Sequence, residues 1–152
     1  MRISAKVDYA MRAMTELAAS DGETLVKADR IAAAQGIPLK FLHNILQELR
    51  HARLVESQRG PDGGHLLARP ADEITVADVI RAIDGPLGAV AGAPPEDREY
   101  EGPAERVRDT WVALRASVRG VLESVTLADI AENHLPSEVT GLIGEPGAWA
   151  RR

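Results

Sequence analysis

Apolar residues recur at Ile3, Val7, Ala10, Met11, Met14, Leu17 and Ala18. At 3.6 residues per turn they form one stripe, so the chain is predicted to open with an amphipathic helix ending near Ser20-Asp21-Gly22. A second helix is predicted from Ala28 to Ala34, stopped by Gln35-Gly36-Ile37, and a third starts at Pro38, a residue favoured in a first helical turn. In this third helix Leu42, Ile45, Leu46 and Leu49 share one face. Lys40, His43, Asn44, Gln47, Arg50 and His51 lie on the other side, with Glu48 the one acid nearby. Two strand-like runs follow, Leu54 to Gln58 and His65 to Ala68, separated by Arg59-Gly-Pro-Asp-Gly-Gly64, whose glycines and proline demand a turn. The predicted order is helix, helix-turn-helix, hairpin.

Thr75, three residues before Asp78 and ahead of Val76, Val79, Ile80 and Ile83, predicts a capped helix stopped by Gly85-Pro86. The same device recurs at Thr126-Leu-Ala-Asp129, but its flanks do not match, so it is not read as a repeat. Residues 85–103 hold four glycines and four prolines with the acids Glu96, Asp97, Glu99 and Glu101, a composition of loop or disorder. Beyond them Val107, Trp111, Leu114, Val118, Val121 and Val125 are spaced as the a/d seam of a helix that packs along another helix. A long helix separated from the first domain by a flexible loop has little else in a small chain to cover its seam, which predicts a homodimer. The tail from Asn133 is broken by Pro136, Gly141, Gly144, Pro146 and Gly147, and no function is read from it. The expected organisation is a DNA-binding domain over 1–84, a flexible acidic loop over 85–103, a dimerisation helix with a short following helix over 104–132, and a tail over 133–152.

Composition narrows the class. Aromatic residues are 3% of the 152, so the core must be aliphatic and alanine-rich, which suits a mainly α fold. No apolar stretch approaches the roughly 20 residues that cross a bilayer, and the amino terminus is charged where a secretory signal would be apolar, which predicts a cytoplasmic protein. The net charge of −5 argues against a nucleic-acid partner until the chain is divided at Pro70. Residues 1–70 then carry +2 and residues 71–152 carry −7, so only the first half suits phosphates. The chain has no cysteine, which excludes disulfides, thiolate-bound iron–sulfur clusters and thiol redox switching.

The element order is that of a winged helix-turn-helix: the third helix fits a major groove and the hairpin reaches the adjacent minor groove or backbone. On this reading Lys40, His43, Asn44 and Gln47 meet base edges or phosphates, with Arg50 on the same face. Arg59, at the hairpin tip, suits a narrow minor groove. Taken singly, each residue fits a solvated helix face or surface turn equally well; the set in this order favours double-stranded DNA. Catalysis is not expected. The GPDGG loop lacks the Lys-Ser/Thr of a P-loop, and neither G-x-S-x-G nor HExxH occurs. No metal is expected either, since His43 and His51 are over two helical turns apart. His65 reads as packing or phosphate contact, and Met11 and Met14 as core.

The segments MRISAKVDYAMRAM, IAAAQGIPLKFLHNILQELRHARLVESQRGPDGGHLLARP and ITVADVIRAIDGP resemble the Rrf2 family of bacterial transcription regulators. The most specific part is GIPLKFLHNIL followed by LV-x-S-x-RG-x-x-GG-x-L-L-x-RP. The resemblance implies a dimer with a long carboxy-terminal dimerisation helix and carries DNA contact onto Lys40, Phe41, Asn44 and Arg59. His43 departs from the glutamate usual in many members. Cluster-binding members carry cysteines in the loop before the long helix, and some add a ligand at the position of Asp8 or Arg12. Here residues 85–103 have no cysteine, and Asp8 reads as solvated or salt-bridged. The implied protein is a homodimeric repressor or regulator acting on a palindromic operator without a cofactor. Its signal, a small molecule or partner protein, is expected near this loop, with Tyr100 and Trp111 as contacts unless Trp111 is simply a knob of the seam. The competing expectation is an interaction protein on the same fold, binding a partner through its acidic half.

Overall fold

The computed structural model describes residues 2–150. Helix α1, Ala5–Ala18, starts where the Ser4 Oγ accepts the Val7 N–H at 3.1 Å, and buries Val7, Ala10, Ala13, Met14 and Leu17. Because Ala10 and Ala13 end at Cβ, neighbouring helices approach α1 closely. Helices α2, Ala28–Gln35, and α3, Leu39–His51, follow, with Pro38 as the N-cap of α3 rather than its first residue. The amphipathic pattern of α3 is realised fully, and Leu42, Ile45, Leu46 and Leu49 are all 2% exposed or less. Burying each such side chain contributes about 1.5–3 kcal/mol before chain entropy is counted. Strands β1, Val55–Gln58, and β2, Gly64–Leu67, pair antiparallel with Val55 opposite Leu67 and Gln58 opposite Gly64. An isolated bridge ties Val26 to His65, docking the wing on the segment before α2.

Helix α4, Val76–Asp84, begins with the predicted capping box at Thr75 and Asp78 and ends at Gly85. The long helix α5, Val107–Ser124, has no fully buried residue, and Val112 and Leu114 remain exposed. Helix α6, Leu127–Ala131, begins with the second predicted capping box, at Thr126 and Asp129. It returns to the first domain: Leu127 is 0% exposed within the core that also holds Met14, Leu42 and Leu49. The two capped helix starts, which share no flanking sequence, lie side by side. Thr75 and Thr126 form an antiparallel bridge, the Val76 N–H donates to Val125 O at 2.9 Å, and the Leu127 N–H donates to Ile74 O at 2.9 Å.

Residues 85–103 carry specific contacts within an irregular path. They contain a 3-10 turn at Pro95–Asp97, and a second turn, Gly102–Ala104, leads out of them. The Arg98 guanidinium donates to Val90 O at 2.7 and 3.0 Å and to Ala91 O at 2.8 Å. Glu96 pairs with Arg115 of α5 at 2.6 Å. Glycine and proline content marks the absence of regular structure, and an arginine that gathers carbonyls supplies order without it. The tail forms a short helix α7, Ser137–Ile143, beyond which the exposed Trp149 indole donates to Ile143 O. Among the described residues no helix is long and apolar enough to cross a membrane.

Candidate nucleic-acid interface

Helix α3 and the hairpin build one face. Lys40, Phe41, His43, Asn44, Gln47 and Arg50 are all exposed on α3, opposite its buried leucine and isoleucine row. Phe41, 61% exposed, stands among these polar groups as a large apolar side chain, with Leu39 exposed at the start of the helix. The nearby acid, Glu48, is held by Lys6 of α1 at 2.7 Å, which offsets its charge. Arg59 is exposed in the turn between β1 and β2.

The tip keeps its glycines for close approach. A Cβ on Gly63 would lie 2.2 Å from Gln58 O, and one on Gly64 would lie 2.8 Å from Val26 O. Neither position has space for a side chain, so the turn folds back tightly and leaves Arg59 exposed on it. His65 anchors the base of the wing. Its N–H donates to Val26 O at 2.8 Å, its carbonyl accepts the Val26 N–H at 3.0 Å, and its Nδ1 shares a 2.8 Å hydrogen bond with Ser57 Oγ. Burial lowers the basicity of His65, and its neighbours His43 and Arg50 on α3 lower it further. The wing therefore lies within electrostatic reach of the polar face of α3.

A cleft of about 810 Å3 continues this face beyond the end of α3 and is lined by Arg50, Arg53, Ser57 and Arg69 among others. Arg53 and Arg69 escape the sequence reading. The signal that would have found Arg53 is an arginine where the close of a helix ordinarily takes glycine.

The seam of α5 is shorter than its spacing predicts. Val107, Trp111, Val118 and Val121 are half-buried and Leu114 is 47% exposed, but Val125 lies past the helix end in an extended conformation at 6% exposure. Its carbonyl accepts the Val76 N–H, so within this chain Val125 is buried beyond the end of α5 and does not continue the helical row. Trp111 lines a cavity of about 360 Å3 with residues 88–91, Leu114, Arg115 and Val118, and Tyr100 is not among its walls. The Asp8 carboxylate meets Arg12 at 3.0 Å; the same guanidinium donates to Gln35 O at 2.6 Å and lies 4.8 Å above the Tyr9 ring. The pair fastens α1 to the end of α2.

The sequence profile of the Rrf2 family, described as an iron-dependent transcriptional regulator, matches residues 3–133. Over 142 residues the chain is 54% identical to Rv1287 of Mycobacterium tuberculosis, named as an HTH-type transcriptional regulator, covering 93% of this chain and 88% of that protein. It is 38% identical to the HTH-type transcriptional regulator CymR of Bacillus subtilis, covering 86% of this chain and 90% of the relative. The solved structure of CymR, the global cysteine regulator of B. subtilis, superposes with a TM-score of 0.74 at 37% identity, over 88% of this chain and 98% of that one. IscR of T. potens superposes with a TM-score of 0.70 at 32% identity, over 88% of each chain.

The residues present do not fit the iron centre that the family description implies. The chain has no thiolate to offer, the Asp8 carboxylate is engaged by Arg12, and no group of three or more His, Asp or Glu among the described residues is placed to hold a metal ion. Fold, wing motif and relatives agree over nearly the whole length, and the chain belongs to the Rrf2 family of transcriptional regulators.

Proposed function

We propose that the protein is a homodimeric DNA-binding repressor that reads a palindromic operator and works without an iron–sulfur cluster. The observation that carries this reading is the α3 face. Six side chains able to meet bases or phosphates are exposed on a helix whose other side is locked into the core, beside a hairpin that presents Arg59. Such a helix enters a major groove, where Asn44 and Gln47 match adenine and Lys40 matches guanine or a phosphate. Arg59 then enters the neighbouring minor groove. The half-exposed row Trp111, Leu114 and Val118 on α5 supports pairing of two copies, and two-fold symmetry of the protein makes the operator palindromic. Residues 85–103 are joined to α5 through the Glu96–Arg115 pair. A small molecule or protein that binds at the Trp111 cavity would therefore shift α5 and with it the spacing of the two α3 helices.

The test is titration of the full-length protein onto a duplex from its own upstream region across a salt series. Affinity should fall linearly in log–log form as salt rises, with a slope set by the phosphate contacts. No binding at low salt would remove the DNA reading and leave a protein partner for the acidic half.

A further inference from the structure

Helices α2 and α3 end in the same left-handed backbone conformation with different residues. At the end of α2 it is taken by Gly36, at φ +60 and ψ +38. At the end of α3 it is taken by Arg53, at φ +59. The Leu54 N–H donates to Leu49 O at 2.9 Å and the Arg53 N–H to Arg50 O at 3.0 Å, the paired bonds of a Schellman cap, whose left-handed position favours glycine. A side chain there opposes folding through the contact of its Cβ with the backbone. Local stability therefore does not account for the arginine. An ion pair does not account for it either: among the described residues neither Arg53 nor Arg50 forms one, and Arg69 reaches Asp78 only at 3.8 Å. All three arginines line the same cleft, where Glu56 is the one carboxylate and cancels only part of their charge. The cleft shares Arg50 and Ser57 with the face built by α3 and the wing, so it meets whatever that face binds.

We propose that Arg53, together with Arg50 and Arg69, forms a phosphodiester-binding site that grips the backbone of the duplex flanking the bases opposite α3. The proposal rests on the DNA-binding reading and extends it beyond the helix and wing tip. Guanidinium forks suit phosphate oxygens bidentately, and a side chain kept in a disfavoured backbone conformation is the signature expected of a functional contact.

The test uses the full-length protein, with thermal unfolding and fluorescence anisotropy on the upstream duplex. Arg53→Gly should raise the unfolding midpoint by roughly 2 °C, because the backbone is relieved. It should also flatten the log affinity against log salt slope by about 0.9 per protomer, so that a fourfold rise in salt costs each variant site about 3.5-fold less affinity than wild type. The loss should be equal on operator and unrelated duplexes. Arg53→Lys should keep the wild-type slope without the gain in midpoint. On a duplex trimmed to the base pairs opposite α3, wild type and Arg53→Gly should bind alike. A wild-type slope for Arg53→Gly, with wild type itself binding normally, overturns the site and leaves the DNA reading standing. A loss confined to the operator overturns the backbone assignment by making Arg53 a base reader. Failure of the wild type to bind any duplex at low salt overturns both.

Discussion

Leu127→Ala should destabilise the winged-helix domain even though the substitution lies sixty residues beyond the wing. Leu127 is 0% exposed and sits in the cluster that holds Met14, Leu42 and Leu49, with α6 packed mainly on α1. Truncation removes three carbon atoms from an enclosed site. Backbone bonds at Val125 and Leu127, just before and at the start of α6, hinder collapse of the space left behind. A cost of about 3 kcal/mol follows, within the range of fully buried leucine truncations. That is a large part of the 5–15 kcal/mol typical of a folded domain. Urea unfolding followed by circular dichroism, at one fixed protein concentration, should show the midpoint falling by about 1–2 M with the slope unchanged. Leu142→Ala, at a 47% exposed position of α7, serves as the control and should change stability by no more than about 0.5 kcal/mol. Equal midpoints for wild type and Leu127→Ala would show that α6 does not belong to this core.

Asn44→Ala should relax discrimination at one base pair at a cost of about 1–3 kcal/mol, whereas Lys40→Ala should weaken all sequences alike; competition binding over single-base operator variants distinguishes them. Arg59→Ala should lose more affinity on an A·T-rich flank than on a G·C-rich one, because a narrow minor groove concentrates negative potential, and equal losses would remove the wing tip from the interface. Leu114→Glu places a carboxylate in the half-exposed row of α5 and should shift sedimentation toward monomer and weaken operator binding, while an intact dimer would put the partner surface elsewhere. His65 is held below its ordinary value of 6.5, first by burial and then by its neighbours His43 and Arg50. Below about pH 6.5 the unfolded chain therefore binds a proton that the folded one still resists, and stability should fall with pH until the folded state is protonated too. His65→Gln should flatten that part of the urea midpoint against pH profile.

The features legible in the sequence are those decided within a few residues. The stripe of α1 and the divided faces of α3 follow from helical periodicity, and both Thr-x-x-Asp boxes stand where the spacing places them because a cap is closed by its own side chains. The wing is readable because Arg59-Gly-Pro-Asp-Gly-Gly64 carries its own turn chemistry, and the lack of cysteine leaves no thiolate for a cluster. Residues 85–103 were readable only as irregular, since the grip of Arg98 on Val90 and Ala91 depends on a fold-back that composition does not encode.

Tertiary structure decided the rest. Heptad spacing carried the seam on to Val125, but the chain leaves the helix there because Val125 and Leu127 find backbone partners at Val76 and Ile74, some fifty residues away. Periodicity records which side of a helix is apolar and not where the helix stops when a distant strand-like segment competes for its hydrogen bonds. The same pairing joins two capping boxes that, in sequence, were merely similar, and draws α6 into the core of the first domain. Arg53 is the opposite case. Local rules call for glycine at the end of α3, and only the cleft where Arg50, Arg53 and Arg69 converge gives an arginine there a purpose. Sequence by itself determined α1 to α4, the hairpin and the polar face, through interactions one or two turns long. The meeting of residues 53 with 69, and of 75 with 126, required the fold, because long-range proximity is set by packing and not by spacing along the chain.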